Sequence, residues 1–267
     1  YDFMPFYLGW CDNSIVTYPE RSVQVRFTQE CTGMSSADVL VQTDYSYARS
    51  GNNPYYQWGR KDPMLPWSGL RSPIDKDCHT DPDKSGYAFD RIAGWATIGE
   101  SIQLPYMLYC GTTSPMDWCS TTYYNLWSAN NVSTTANDTK VVKTVYDPSP
   151  AGFCIPPPNA FSGFTTTQAG SENPSDFNVK GDYDEGWNFY CGLNKTGDTI
   201  FFPASGYRNN SSGSIMGIVS FPGVSCLAAT ARDTQTGSAM YFTPSSIYPV
   251  AGATRNMSYA VRPVLEK

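Results

Sequence analysis

The sequence predicts an α+β chain that is mostly β and irregular, built from short strands joined by long ordered loops. Three observations predict it. Charged residues are few, at 16%. Aromatics are abundant, with 7 Trp, 19 Tyr and 13 Phe. Glycine and proline, at 22 and 20, punctuate the chain too often for a helical bundle. So many rings need burial or a binding role, which argues against disorder. The length of 267 residues suits one large domain, or one domain plus a small one.

The elements follow in order. The opening "YDFMPFYLGW" is already strand-like, and it reads as the start of a mature or trimmed fragment. "SVQVRFTQE" (22–30) and "ADVLVQTDY" (37–45) alternate apolar and polar residues, and they predict two antiparallel strands around "CTGMSS". Residues 1–45 are therefore expected to form an N-terminal β segment or the end of a β-sandwich module. "GNNPYYQWGRKDPMLPW" (51–67) is compact and aromatic. "AGWATIGESIQLPY" (93–106) is the one stretch with helical character. "SANNVSTTANDT" (128–139) reads as an exposed loop. "VVKTVYDPSPAGFCIPPPNAFSGF" (141–164) begins as a strand. It then becomes a rigid covering loop, because its prolines cannot donate to a ladder. In the last third, "TIFFPASGY", "VSCLAATA", "SAMYFTP" and "YAVRPVLE" read as strands between turns.

Several classes of function are excluded or disfavoured. The net charge is −6, yet residues 201–267 carry five basic side chains against two acidic ones. No Lys/Arg cluster exists, so no nucleic-acid partner is expected. The single histidine, His79, removes mechanisms that need two imidazoles, and its polar setting disfavours a Ser-His-Asp triad. Eight scattered cysteines form no C-x-x-C, so they suit a secreted protein with some bridges; Cys110 and Cys119 are the best local pair. No apolar run reaches the length of a membrane span. Six sequons occur, at Asn131, Asn137, Asn194, Asn209, Asn210 and Asn256.

Candidate chemistry is sparse. "DPDKSGYAFDRI" (81–92) places Asp81, Asp83, Ser85 and Gly86 as a calcium loop would. Phe89 and Ile92 stand where later ligands belong, so this is a weak calcium candidate and no metal or cofactor is expected. Asp182, Asp184 and Glu185 in "GDYDEGW" read as a solvated turn more than a glycosidase pair. Trp58, Trp67, Trp95, Trp118, Trp127 and Trp187 are candidates for a carbohydrate platform, although most are expected in the core, Trp58 among them. Arg262 in "YAVRPV" is expected to anchor a buried hydrogen-bond network.

Four motifs in order carry a resemblance: "YYQWGRKDP", "YDPSPAGFCIPPPNAFSGF", "IFFPASGYRNNSSGSI" and "YAVRPVLE". Over residues 46–267 the chain resembles FISUMP-like domains of bacterial surface proteins, which are often attached to fimbrillin-type pilus subunits. The resemblance implies a C-type-lectin fold, related to formylglycine-generating enzymes, with a short N-terminal β segment. It implies a secreted, non-enzymatic adhesin at a pilus or outer-membrane-anchored surface. Its partners would be a host or bacterial surface protein or glycan, with other pilus subunits meeting the N-terminal part. The calcium-dependent sugar triplets known in lectins of this fold do not occur.

Some relatives are varied by diversity-generating retroelements, which randomise adenine-containing codons on a fixed scaffold. One stretch suits that pattern. From Ile215 to Met240 the only aromatic is Phe221, where about four would be expected from the chain average. Phe221, Val224, Ser225, Leu227, Arg232 and Asp233 fit the products of Asn codons; Gln235, Met240 and Met257 do not. The recognition surface is expected at Arg208, Ile218, Ser220, Phe221, Val224, Ser225, Leu227, Arg232, Asp233, Tyr248, Val250 and Arg255. Small residues packed under large neighbours would explain the same gap. Three other readings remain: a phage tail-fibre receptor-binding protein of the same fold, a carbohydrate-active or formylglycine-type enzyme using Cys191 and Cys226, and a structural pilus subunit.

Overall fold

A computed structural model describes residues 1–4, 8–10, 24–27, 37–41, 55–62, 64, 90–104, 107–111, 113–114, 116–132, 138–211, 213, 215–216 and 224–266. The chain is mostly short strands in small sheets. They run β1 Leu8–Trp10, β2 Gln24–Phe27, β3 Ala37–Val41, β4 Tyr56–Gln57, β5 Asp90–Ile92, β6 Met107–Tyr109, β7 Phe153–Cys154 and β8 Gly186–Tyr190. There follow β9 Thr199–Pro203, β10 Tyr207–Arg208, β11 Ile215–Met216, β12 Val224–Ala231, β13 Thr236–Thr243, β14 Ser246–Thr254, β15 Ser258–Tyr259 and β16 Val264–Leu265. Among the described residues one α-helix, α1 Ile98–Gln103, lies within the predicted helical stretch. A capping box fixes its start: the Thr97 hydroxyl accepts from the Glu100 N–H, and the Glu100 carboxylate accepts from the Thr97 N–H at 2.7 Å.

The N-terminal segment pairs as β1–β3–β2, and β2 and β3 are the two antiparallel strands read from the sequence. Residues 1–4 belong elsewhere. The Met4 N–H donates to Pro263 O at 2.9 Å, the Leu265 N–H donates to Asp2 O at 2.9 Å, and Phe3 bridges Val264. Met4 thus lies in the core cluster, with Phe3 packed against it.

The centre of that body is the antiparallel sheet β12–β13–β14. Each of its faces packs on a core cluster of its own. On one, Leu227, Ala229, Ala231, Ala239 and Ala253 lie with Trp58, Trp127 and Tyr56. On the other, Cys226, Ala228, Met240, Phe242 and Ile247 lie with Phe161, Phe164, Phe189 and Phe202. This explains most of the aromatic-poor stretch. A strand with rings stacked on both sides has volume only for small residues of its own. Gly237 is the extreme case: a Cβ there would run into the Trp58 indole. From Cys226 to Ala231 the gap is therefore a packing requirement.

The Pro-rich segment covers this sheet, as its chemistry requires. Pro156 O accepts from the Ala229 N–H at 2.8 Å, and a 3-10 helix at Pro158–Phe164 drops Phe161 and Phe164 into the core. Residues 141–147 do not form the predicted strand. Lys143 makes one isolated bridge to Ser128, and its ammonium donates to the carbonyls of Ser149, Pro150 and Phe153 at 2.6–2.8 Å. Satisfying those loop carbonyls bends the chain away from an extended path.

Gly237→Ala should lower stability by about 1–3 kcal/mol through overpacking against Trp58. Gly94→Ala, where a Cβ meets open space, should not. Urea unfolding checks this: the midpoint falls for the first variant alone, with the slope unchanged.

Candidate functional site

Long irregular loops bury carbonyl groups that no ladder satisfies. Four arginines supply the missing donors, and each is buried. Arg60 donates to Met107 O at 2.6 Å and to the Gln57 side chain at 2.8 Å. Arg208 donates to Gly213 O with its guanidinium over the Tyr55 ring. Arg262 donates to Met4 O at 2.8 Å and to Phe201 O at 2.5 Å, over Phe202, which matches the buried network expected of it.

Arg255 is the clamp nearest the expected recognition surface. Its guanidinium lies 5.0 Å from the Trp58 ring centre. It pairs with the buried Asp117 carboxylate at 2.9 Å, and it donates to Tyr123 O at 3.1 Å and to Asp233 O at 2.6 Å. One planar fork thus ties the 117–123 loop to the β12–β13 turn. Burial pushes the Asp117 carboxyl up; Arg255 and the N–H groups of Cys119 and Trp118 pull it back. A neighbouring tie runs from the Asn256 side chain to Gly111 O at 2.7 Å.

These contacts sort the expected surface residues. Arg208, Leu227 and Arg255 are fully buried and structural, so they form no part of a solvent-facing surface. Arg232 and Asp233 are exposed in the β12–β13 turn, and Val250 is 42% exposed on β14. Asp233 is occupied within the turn: its carboxylate accepts from the N–H groups of Gln235 and Thr236 and from the Thr236 hydroxyl, at 2.7–2.8 Å. Partial burial works against its charge, but those three donors outweigh it and hold the carboxyl below its usual range. The Arg232 stem lies over Gly252, and its guanidinium has no ion pair among the described residues. Tyr248 is half-buried, its ring against the Gly170 backbone and its hydroxyl donating to Glu172 at 2.5 Å. Val224 and Ser225 are placed as backbone opposite Phe242 and Tyr241. Ile218, Ser220 and Phe221 lie outside the described residues, as do Asp81, Asp83, Ser85, His79 and Trp67.

The structure adds residues to this rim that sequence reasoning placed elsewhere or passed over. Tyr241 lies 6.2 Å ring to ring from Tyr248. The exposed Tyr123 and Ser114 lie beside the β12–β13 turn, where the Gln235 amide donates to the Ser114 hydroxyl at 3.4 Å. The signal for Tyr123 and Ser114 was tertiary, carried by Arg255 and Gln235, and no local pattern reveals it.

The remaining candidates resolve individually. Cys110, Cys119, Cys154, Cys191 and Cys226 are free thiols, so the expected Cys110–Cys119 bridge is not formed. Burial pushes Cys110 up to about 11, and Cys154 and Cys226 up to about 12. Cys191 is exposed while Cys226 is sealed, so they make no reactive pair. Asp182, Asp184 and Glu185 are exposed, in keeping with a solvated turn. Asn131 and Asn256 are buried sequons with their amides held by backbone carbonyls. Among the described residues no group of three metal-ligating side chains converges, and no helix is long and apolar enough to cross a membrane.

Set against known protein families, curated proteins and solved structures, the chain matches none of them. The class its own architecture defines is a mostly β protein of small sheets with few helices.

Two outcomes check this site. Arg255→Lys keeps the charge but loses the fork. It should destabilise the fold by about 2 kcal/mol, read by thermal or urea unfolding. Alkylation of the native protein with iodoacetamide at pH 8, mapped by mass spectrometry, should modify Cys191 and spare Cys110, Cys154 and Cys226 until urea is added. Early labelling of Cys226 would contradict the sealed sheet.

Proposed function

We propose that the chain is a non-enzymatic, secreted ligand-binding domain of a bacterial surface or pilus adhesin, with a C-type-lectin-like arrangement over residues 46–267. One observation supports this best: the split between frame and rim along β12–β14. Cys226–Ala231 and Ser238–Met240 are sealed, whereas Arg232 and Asp233 in the β12–β13 turn and Val250 on β14 stay in solvent. A rigid scaffold that presents a small solvent-facing rim loses little conformational freedom on binding. A rim with exposed hydroxyl, guanidinium and aliphatic groups, and no group of three metal-ligating side chains among the described residues, suits recognition more than catalysis.

The free thiols favour a second reading. Five described cysteines are unpaired, four of them buried, which suits a chain folded in a reducing cytoplasm. A phage tail-fibre receptor-binding protein of the same fold meets that condition, and neighbouring genes for tail or pilus components separate the two.

The recognition reading is tested by sequencing this gene in many members of one population. Differences should concentrate within 218–257 at solvent-facing positions such as Arg232 and Val250. Leu227, Arg208 and Arg255 should stay constant because the frame needs them. Differences spread evenly along the chain would defeat the diversified-surface reading.

A further inference from the structure

Five tryptophans have described side chains, and four of them are buried: Trp58, Trp118, Trp127 and Trp187. Trp95 is 43% exposed. Its exposure does not come from a loose chain. The next residue, Ala96, donates from its N–H to Trp118 O at 2.9 Å and accepts from the Ser120 N–H at 2.8 Å. The pyrrole edge of the indole rests on the backbone of Gly111, where a Cβ would collide with Nε1 and Cδ1. Gly111 O is in turn held by Asn256, next to Arg255. The ring is therefore fixed by the same clamps that join the 117–123 loop to the β12–β13 turn.

Next to its Gly111 seat the Arg91 guanidinium reaches Cys110, and the loop that follows Gly111 is hydroxyl-rich. Thr113, Ser114, Ser120 and Thr121 are exposed on the same loop, and Gln235 reaches Ser114 from the turn. The acids nearby are committed: Asp117 to Arg255, and Asp233 to its turn. A pyranose presents an apolar C–H face and an edge of hydroxyls that both donate and accept. An oriented indole bordered by hydroxyl and amide groups meets both needs, with little ordering loss on binding.

Resting on the ligand-binding reading above, we propose that Trp95 is the stacking platform of a carbohydrate site on this rim, taking a neutral pyranose of a surface glycan. Ile92, exposed at 44% two residues before Gly94, is what a protein partner would use instead, and it serves as the control.

The test uses the whole chain with cellobiose, lactose, chitobiose and mannobiose as probes. NMR should show at least one disaccharide moving the Trp95 indole N–H signal and receiving saturation on the C–H protons of one pyranose face. Trp95→Ala should weaken that binding at least tenfold, Trp95→Phe by less, and Ile92→Ser not at all. Circular dichroism should show all three variants folded. A Trp95 signal unmoved by the panel, or equal binding by Trp95→Ala, overturns the inference. Beads coated with the chain on a mucin surface keep this separate from the wider reading. Attachment lost after mild periodate oxidation, and lost with Trp95→Ala, supports the glycan. Attachment that survives both but fails with Ile92→Ser or Val250→Glu overturns the glycan and leaves recognition standing. No attachment and no disaccharide binding overturn both.

Discussion

The structure depends on how buried carbonyl groups in irregular chain are satisfied. Strands here are two to nine residues long, and much of the polypeptide between them has no ladder partner. An unpaired buried carbonyl is expensive. The guanidinium answers this with several donors in one plane and a face that packs on an aromatic ring. Arg60, Arg208, Arg255 and Arg262 each combine both contacts. The high aromatic content and the buried arginines are therefore one device. Rings give the guanidinium an apolar seat, and the guanidinium gives the loops their hydrogen bonds. Indole N–H groups extend the scheme, as Trp58 donates to Ala228 O at 3.0 Å and Trp118 donates to Trp58 O at 2.7 Å.

Local pattern revealed what local physics decides. The cores of β2, β3, β12 and β13, the capped helix at 98–103 and the covering role of the prolines were all legible. β14 was not, because Pro249 and Gly252 break its alternation. The register slip in β13–β14 pairing, between Ala239 and Tyr241, accommodates the interruption. β8 was hidden behind an acidic turn that ends where the strand begins. The buried state of Arg208 and Arg255 was illegible for a different reason. An arginine's burial depends on which carbonyls a distant loop brings to it, and spacing carries no trace of that.

The candidate surface was legible only in part. The aromatic gap falls on β12 and β13, and its cause is mixed. Its middle is small because rings press on it from both faces, and Arg232 and Asp233 beyond it reach solvent. Trp95 was one of six candidate tryptophans in the sequence, of which Trp58 alone was assigned to the core. Its position over Gly111 sets it apart, and that contact spans two segments joined by tertiary clamps.

The seam between residues 2–4 and 263–265 has a mechanical consequence. The two segments run antiparallel, so chain leaving either one departs from a single corner of the body. Tension applied between them peels the seam one bond at a time, a low-resistance geometry, before any load reaches β12–β14. Arg262 sits directly behind, gripping Met4 and Phe201, and acts as the stop where peeling must break a charged, ring-backed contact. Under strain this seam would be the first part to open.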